Sequence, residues 1–159
     1  MLADSYILPE CIVRPASFGG LMTLYEANYI KFMQLVPALS QRKGEFISQR
    51  PEDCDLHLTI EQQSKYTCEL RLTYLFTEEQ TNGELFDPDL IVRIYYDARM
   101  AEVYSWINQH RHTVLHALNN ECRSQMSERW ARNIMLSKWL DYLSDRGHHF
   151  LAHCPAVSA

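Results

Sequence analysis

Apolar residues recur along this chain in two rhythms, and the change from one to the other outlines the fold. Leu21, Leu24, Tyr25, Asn28, Phe32, Leu35 and Val36 follow helical spacing, and Pro37 stops the run. Gly19-Gly20 permits a sharp entry into that helix. Asn28, the one polar residue on the stripe, reads either as a hydrogen-bonded core amide or as a buried polar group aimed at a ligand. Residues 38–54 are polar and broken by Gly44 and Pro51, which predicts a loop.

The rhythm then changes to a period of two. Leu56, Leu58 and Ile60 alternate with His57, Thr59 and Glu61, and Tyr66, Cys68, Leu70, Leu72 and Tyr74 alternate with Thr67, Glu69, Arg71 and Thr73. This predicts a half-buried antiparallel hairpin. A loop of Gln62-Gln63-Ser64 opposes Ile60 to Tyr66, Leu58 to Cys68 and Leu56 to Leu70, with Thr59–Thr67, His57–Glu69 and Asp55–Arg71 on the reverse face. Shifting the register by one residue would destroy the apolar match.

Residues 77–89 form a polar connection ending in Asp-Pro-Asp. The run from Val92 to Val103 is a second hairpin turning near Asp97-Ala98. Leu90, Val92 and Ile94 face Ser105, Val103 and Ala101. Behind them Arg93 opposes Glu102, Tyr95 opposes Met100, and Ile91 opposes Tyr104. Arg opposite Glu contributes about 0.2–1 kcal/mol.

Residues 108–126 have no decisive rhythm. Ser127 caps a second helix with Glu128 in its first turn, a stripe of Arg132, Leu136, Trp139, Leu140 and Leu143, and Gly147 at its C-terminal turn. Residues 1–17 read as an arm and 148–159 as a loosely ordered tail, around a core of 18–147 in a single domain. The predicted class is α+β: helix, two antiparallel β-hairpins in one sheet, helix. Helices on one face would bury Leu56, Leu58, Ile60, Leu70, Leu72, Val92, Ile94 and Val103. The strand order stays open.

These pieces resemble the YqiB-like family, an uncharacterised proteobacterial group called domain of unknown function 1249. The residues that carry the resemblance are Leu24–Tyr29, the arms Leu58-Thr59-Ile60 and Lys65-Tyr66-Thr67, the Val92–Val103 hairpin, and Glu128, Asn133, Leu136, Trp139, Leu140 and Gly147. It spans roughly residues 20–148 and implies no activity, cofactor or catalytic residue. Some members have been labelled dehydrogenases, yet no G-x-G-x-x-G follows a strand here and no βαβ alternation occurs. The histidine-rich stretch departs from the family pattern.

Composition narrows the function classes. The chain has 159 residues, 47% hydrophobic and 22% charged, as expected of a globular protein. Its apolar runs are far short of the ~20 residues of a membrane helix. A net charge of −5 gives no basic footprint for nucleic acid or a membrane surface. Met1 to Arg14 lacks a basic start followed by an apolar run, so no signal peptide is expected. Cys11, Cys54, Cys68, Cys122 and Cys154 are irregularly spaced without C-x-x-C, which points to reduced cytoplasmic thiols.

Three constellations carry candidate chemistry. His110, His112 and His116 offer a metal pair at i,i+4 if helical, without a completing ligand set, and the alternative is a solvated polar segment. On the reverse face of the hairpins, Asp55, His57, Glu69, Arg71, Arg93 and Glu102 share one surface if the hairpins share a sheet. A His57–Glu69 pair there would suit acid–base work, whereas a solvated face needs only ordinary cross-strand pairs. Tyr95, Met100 and Tyr104 complete that surface, as core beneath the second helix, as an interface, or as a pocket wall. No Walker A loop, H-E-x-x-H or G-x-S-x-G occurs, and Ser64-Lys65-Tyr66-Thr67 falls in a hairpin turn. The expectation is a cytoplasmic, non-catalytic binding or regulatory module without a cofactor. It would act through Arg93, Glu102, Tyr95 and Tyr104 on a homo-oligomer or protein partner. The alternatives are a ligand-binding or catalytic site of Arg93, Glu102, His57 and Glu69, and metal binding by the three histidines.

Overall fold

The computed structural model describes residues 17–78, 83–106 and 128–151, with side chains described except at 76–78, 83–87 and 106. Helix α1 (Phe18–Leu35) leads into a 3-10 turn (Leu39–Gln41). Five strands follow, β1 (Gly44–Ser48), β2 (Asp55–Gln63), β3 (Thr67–Glu78), β4 (Gly83–Tyr95) and β5 (Met100–Trp106), and then helix α2 (Glu128–Asp145). The strands form one antiparallel sheet in chain order. The α+β class is as the rhythms predict, and the strand order is the simple meander.

Both helices pack on one face. Phe32, Leu35, Met135, Leu136, Trp139, Leu140 and Leu143 share a cluster with Leu56, Leu58, Leu70, Leu72, Val92, Ile94 and Val103. Ile60, expected in this core, is only partly buried at its margin. Tyr74, also fully buried, meets the Trp139 ring edge-on at 5.2 Å.

Local chemistry corrects several expectations. The first helix does not enter through Gly19-Gly20: Ser17 is its N-cap, accepting from Gly20 N–H at 3.1 Å, and both glycines lie inside the first turn. The predicted loop 38–54 contains a strand, β1, whose alternation is obscured because polar Ser48 points inward beside Phe46. The polar connection 77–89 is mostly strand, with Glu78 opposite Gly83. Pro88 is tolerated in β4 because the register slips between Thr73 and Leu75, where a residue without an N–H breaks no regular ladder.

The first hairpin has the predicted faces but another register. Leu58 opposes Leu72 rather than Cys68, Leu56 opposes Tyr74, and Ile60 opposes Leu70. His57 therefore faces Thr73, not Glu69, and Arg71 faces Thr59, not Asp55. Sliding by an even number keeps each side chain on its own face, so apolar matching could not discriminate between these registers. Specific polar contacts favour the observed one. The Gln63 amide donates to Leu39 O at 2.8 Å and Arg42 O at 3.2 Å, and accepts from Tyr96 OH at 2.7 Å. A bulge between Ile60 and Gln62 absorbs the mismatch, and Ser64 N–H to Thr67 O closes the turn at 2.8 Å.

In the second hairpin Val92–Val103, Arg93–Glu102, Ile94–Ala101 and Tyr95–Met100 pair as predicted. The predicted Ile91–Tyr104 and Leu90–Ser105 pairs are replaced by Ile91–Ser105 and Leu90–Trp106. An extra residue in β5 creates a bulge, leaving both Tyr104 and Ser105 exposed.

The tail does not begin at His148. Gly147, at φ +80°, and His148 end α2 in a Schellman turn, with His148 N–H on Leu143 O at 3.0 Å and Gly147 N–H on Ser144 O at 3.0 Å. Phe150 is buried, and its N–H bonds Leu35 O at 2.8 Å. Arg42 then clasps Phe150 O at 2.6 Å and Pro37 O at 2.9 Å.

Candidate functional site

The sheet face away from the core carries the polar positions of the alternation, and no helix among the described residues packs on it. On this face Thr73 is buried, whereas Tyr104 is 50% exposed. Tyr95, Met100 and Tyr104 are thus not core beneath the second helix.

Across this face the charges are paired between strands. Arg71 on β3 holds Asp89 on β4 with two hydrogen bonds of 2.5 Å. Arg93 opposes Glu102 in register, yet its guanidinium turns the other way, to Glu69 on β3 at 3.0 Å. It lies 4.7 Å from the Tyr104 ring centroid, close enough for a cation–π contact. Glu102 instead accepts the Tyr95 hydroxyl at 2.7 Å. Burial, then that hydrogen bond, raises the Tyr95 pKa. Around the β5 edge, Tyr25 of α1 is pushed up to about 12 by burial and by the Glu102 charge. A shallow depression of about 620 Å³ adjoins Arg93, lined by Gln62, Ser64, Thr67, Glu69 and Tyr95 among others.

The structure thus gathers Arg93, Glu69, Tyr95, Glu102 and Tyr104. It separates His57, which sits on β2 with Ile47 and Thr73 as its Cα partners. A His57–Glu69 acid–base pair does not form. His110, His112 and His116 lie outside the described residues, as does Ser127. Among the described residues no metal-ligand cluster forms, and no helix is long and apolar enough to cross a membrane.

A second polar constellation was invisible to pattern reading. His148, 3% exposed, lies 3.0 Å from Ser48 Oγ through Nδ1 and 3.1 Å from Asp53 Oδ2 through Nε2. Tyr74 OH donates to the same Asp53 oxygen at 2.9 Å. The residue types are those of a Ser–His–Asp triad, but the Ser48 side chain is buried, and this linkage fastens the segment after α2 to β1. Burial pushes the His148 pKa down, and the Asp53 contact only partly opposes it. The signal available in the sequence was Gly147, which sets the residue after it as a Schellman anchor.

Asn28 is a hydrogen-bonded core amide through its nitrogen, while its Oδ1 is buried without a hydrogen-bond partner among the described residues. Fully buried, Asn28 donates to Asn133 O at 3.1 Å, while Asn133 Oδ1 accepts from Val103 N–H on the β5 edge at 2.8 Å. The two amides join α1, α2 and the strand, and Asn133 satisfies an edge N–H that would otherwise be buried unpaired. Cys54 and Cys68 are free thiols raised by burial, Cys68 to about 11, so neither is an activated nucleophile.

Residues 31–149 match the family model described as protein of unknown function, DUF1249. The chain belongs to the DUF1249 family. The matched span contains all five strands and α2, hence both the Arg93 face and the Ser48–Asp53–His148 linkage. DUF1249 relatives include the uncharacterized protein YqiB of Escherichia coli K12, 30% identical over 133 residues, which cover 82% of this chain and 90% of that relative. The YqiB protein of Escherichia coli O157:H7 matches at the same identity and coverage. No solved structure matches the chain significantly.

Proposed function

We propose that this DUF1249 protein is a non-catalytic, cytosolic binding module that engages a second copy of itself through the outer sheet face. The observation that carries the reading is the organised row on that face: Arg93 fixed between Glu69 and the half-exposed Tyr104, beside Tyr95–Glu102 and Arg71–Asp89. Arginine and tyrosine are the residues that concentrate binding energy at interfaces. Both signs of charge alternate across the surface, so a two-fold contact can set the arginines of one copy against the carboxylates of the other. Side chains already held by neighbours lose little freedom on association.

Light scattering tests this reading. The wild-type chain should give a uniform dimer, and folded Tyr104→Ala and Tyr95→Ala variants should run as monomers. Dimers from both variants, or a wild-type monomer at every concentration, would overturn it. The depression beside Arg93 favours one second reading, a small anionic ligand held by Arg93 with Glu69 and Tyr95. That reading requires a saturable ligand-induced rise in melting temperature that Arg93→Ala removes.

A further inference from the structure

A separate cleft of about 460 Å³ opens between the C-terminal halves of α1 and α2, within the usual size range for small-ligand sites. Its wall includes Lys31, Arg50, Asp141, Ser144 and His149, over a floor that includes Leu35 and Leu140. Lys31 and Asp141 neutralise each other at 2.9 Å, with Ser137 Oγ also on the ammonium at 2.7 Å. Arg50 has no such partner. Its contact in the cleft is His149 Nδ1 at 3.3 Å, its Nε is buried without an acceptor, and no carboxylate of the described residues lies within ion-pair distance. The nearby Asp53 is already committed to Tyr74, His148 and the Cys54 N–H. Nor is Arg50 needed to satisfy the end of α2, because Leu143 O and Ser144 O are taken by His148 and Gly147 N–H groups. A partly buried guanidinium without an anion is costly, and a planar fork fits an oxyanion.

We infer that this cleft binds a small oxyanion, a carboxylate or a phosphate, through Arg50, with His149, Ser144 and Lys31 lining the site. Titration calorimetry and thermal melts of the whole chain would use inorganic phosphate and succinate as probes, with sodium chloride at matched ionic strength as control. Saturable binding of phosphate identifies phosphoryl ligands, and of succinate carboxylate ligands. Either supports the inference if Arg50→Gln weakens it by roughly 30-fold or more, the loss expected on truncating a hydrogen-bonded charge partner. Ser144→Glu, at an exposed position, should abolish it by placing a carboxylate in the cleft, and decides the matter if Arg50→Gln does not fold. A response no different from chloride, or saturable binding that survives in the folded variants, would overturn the inference and leave Arg50 as a charge at the end of α2 only.

Discussion

The two faces of the sheet use the same alternating sequence for opposite ends. The inner face has removed its side chains from water almost completely, with Leu58, Leu72, Val92 and Ile94 all fully buried. The outer face keeps its charges, matched across strands and partly wetted, with Arg71 41% and Arg93 37% exposed. Apolar burial supplies most folding free energy, and exposed ion pairs contribute little. Residues that fold the chain are therefore separated by one strand thickness from charged residues that stay partly in water.

Substitutions on the two faces should therefore differ in cost. Trp139→Ala should cost the most, about 3–5 kcal/mol of unfolding free energy, read from the urea midpoint. Asn133→Ala should cost about 1–3 kcal/mol, because it strands the Val103 N–H. A loss as small as at a surface position would mean that water replaces the amide at the β5 edge.

His148, buried against inward-facing Ser48 and Tyr74, sets a pH dependence. Burial lowers its folded pKa below the ordinary ~6.5, although Asp53 and Asp55 oppose the shift while Arg50 adds to it. Below about pH 6.5 the unfolded chain binds the proton that the folded chain resists. The stabilisation is complete above that pH and is lost as pH falls, at up to about 1.4 kcal/mol per pH unit. Urea unfolding from pH 7.5 down to 5.5 should show this slope, and His148→Gln should flatten it. An equal slope in the variant would assign the effect elsewhere. Smallest of all, Arg93→Ala should change monomer stability by less than about 1 kcal/mol despite removing an ion pair and a ring contact.

The outer face was more legible in the sequence than the linkage around His148. The second hairpin was readable because Val92–Val103 and Arg93–Glu102 demand one register on both faces. The first hairpin yielded its faces and not its pairing, because a slide of four residues preserves alternation. The observed register depends on Gln63 reaching Leu39 and Arg42, a contact between segments that no local pattern encodes. β1 was hidden because Ser48 breaks its rhythm to meet His148, 100 residues later. His148, Phe150 and Arg50 were missed for the same reason: each has its role through a distant partner. At the candidate site, Arg93, Tyr95, Glu102 and Tyr104 were placed on one surface correctly, but Arg93 pairs with Glu69 and His57 is absent from the group.

We propose that the outer face binds a second copy while the inner face folds the chain. Sedimentation equilibrium on the wild-type chain and on Arg93→Glu, with far-ultraviolet circular dichroism of both, tests this division of the two faces. A wild-type dimer and a folded Arg93→Glu monomer are expected, because reversal sets like charges against each other across the two-fold contact. A wild-type monomer, or a folded Arg93→Glu chain with an unchanged dimer dissociation constant, would contradict it.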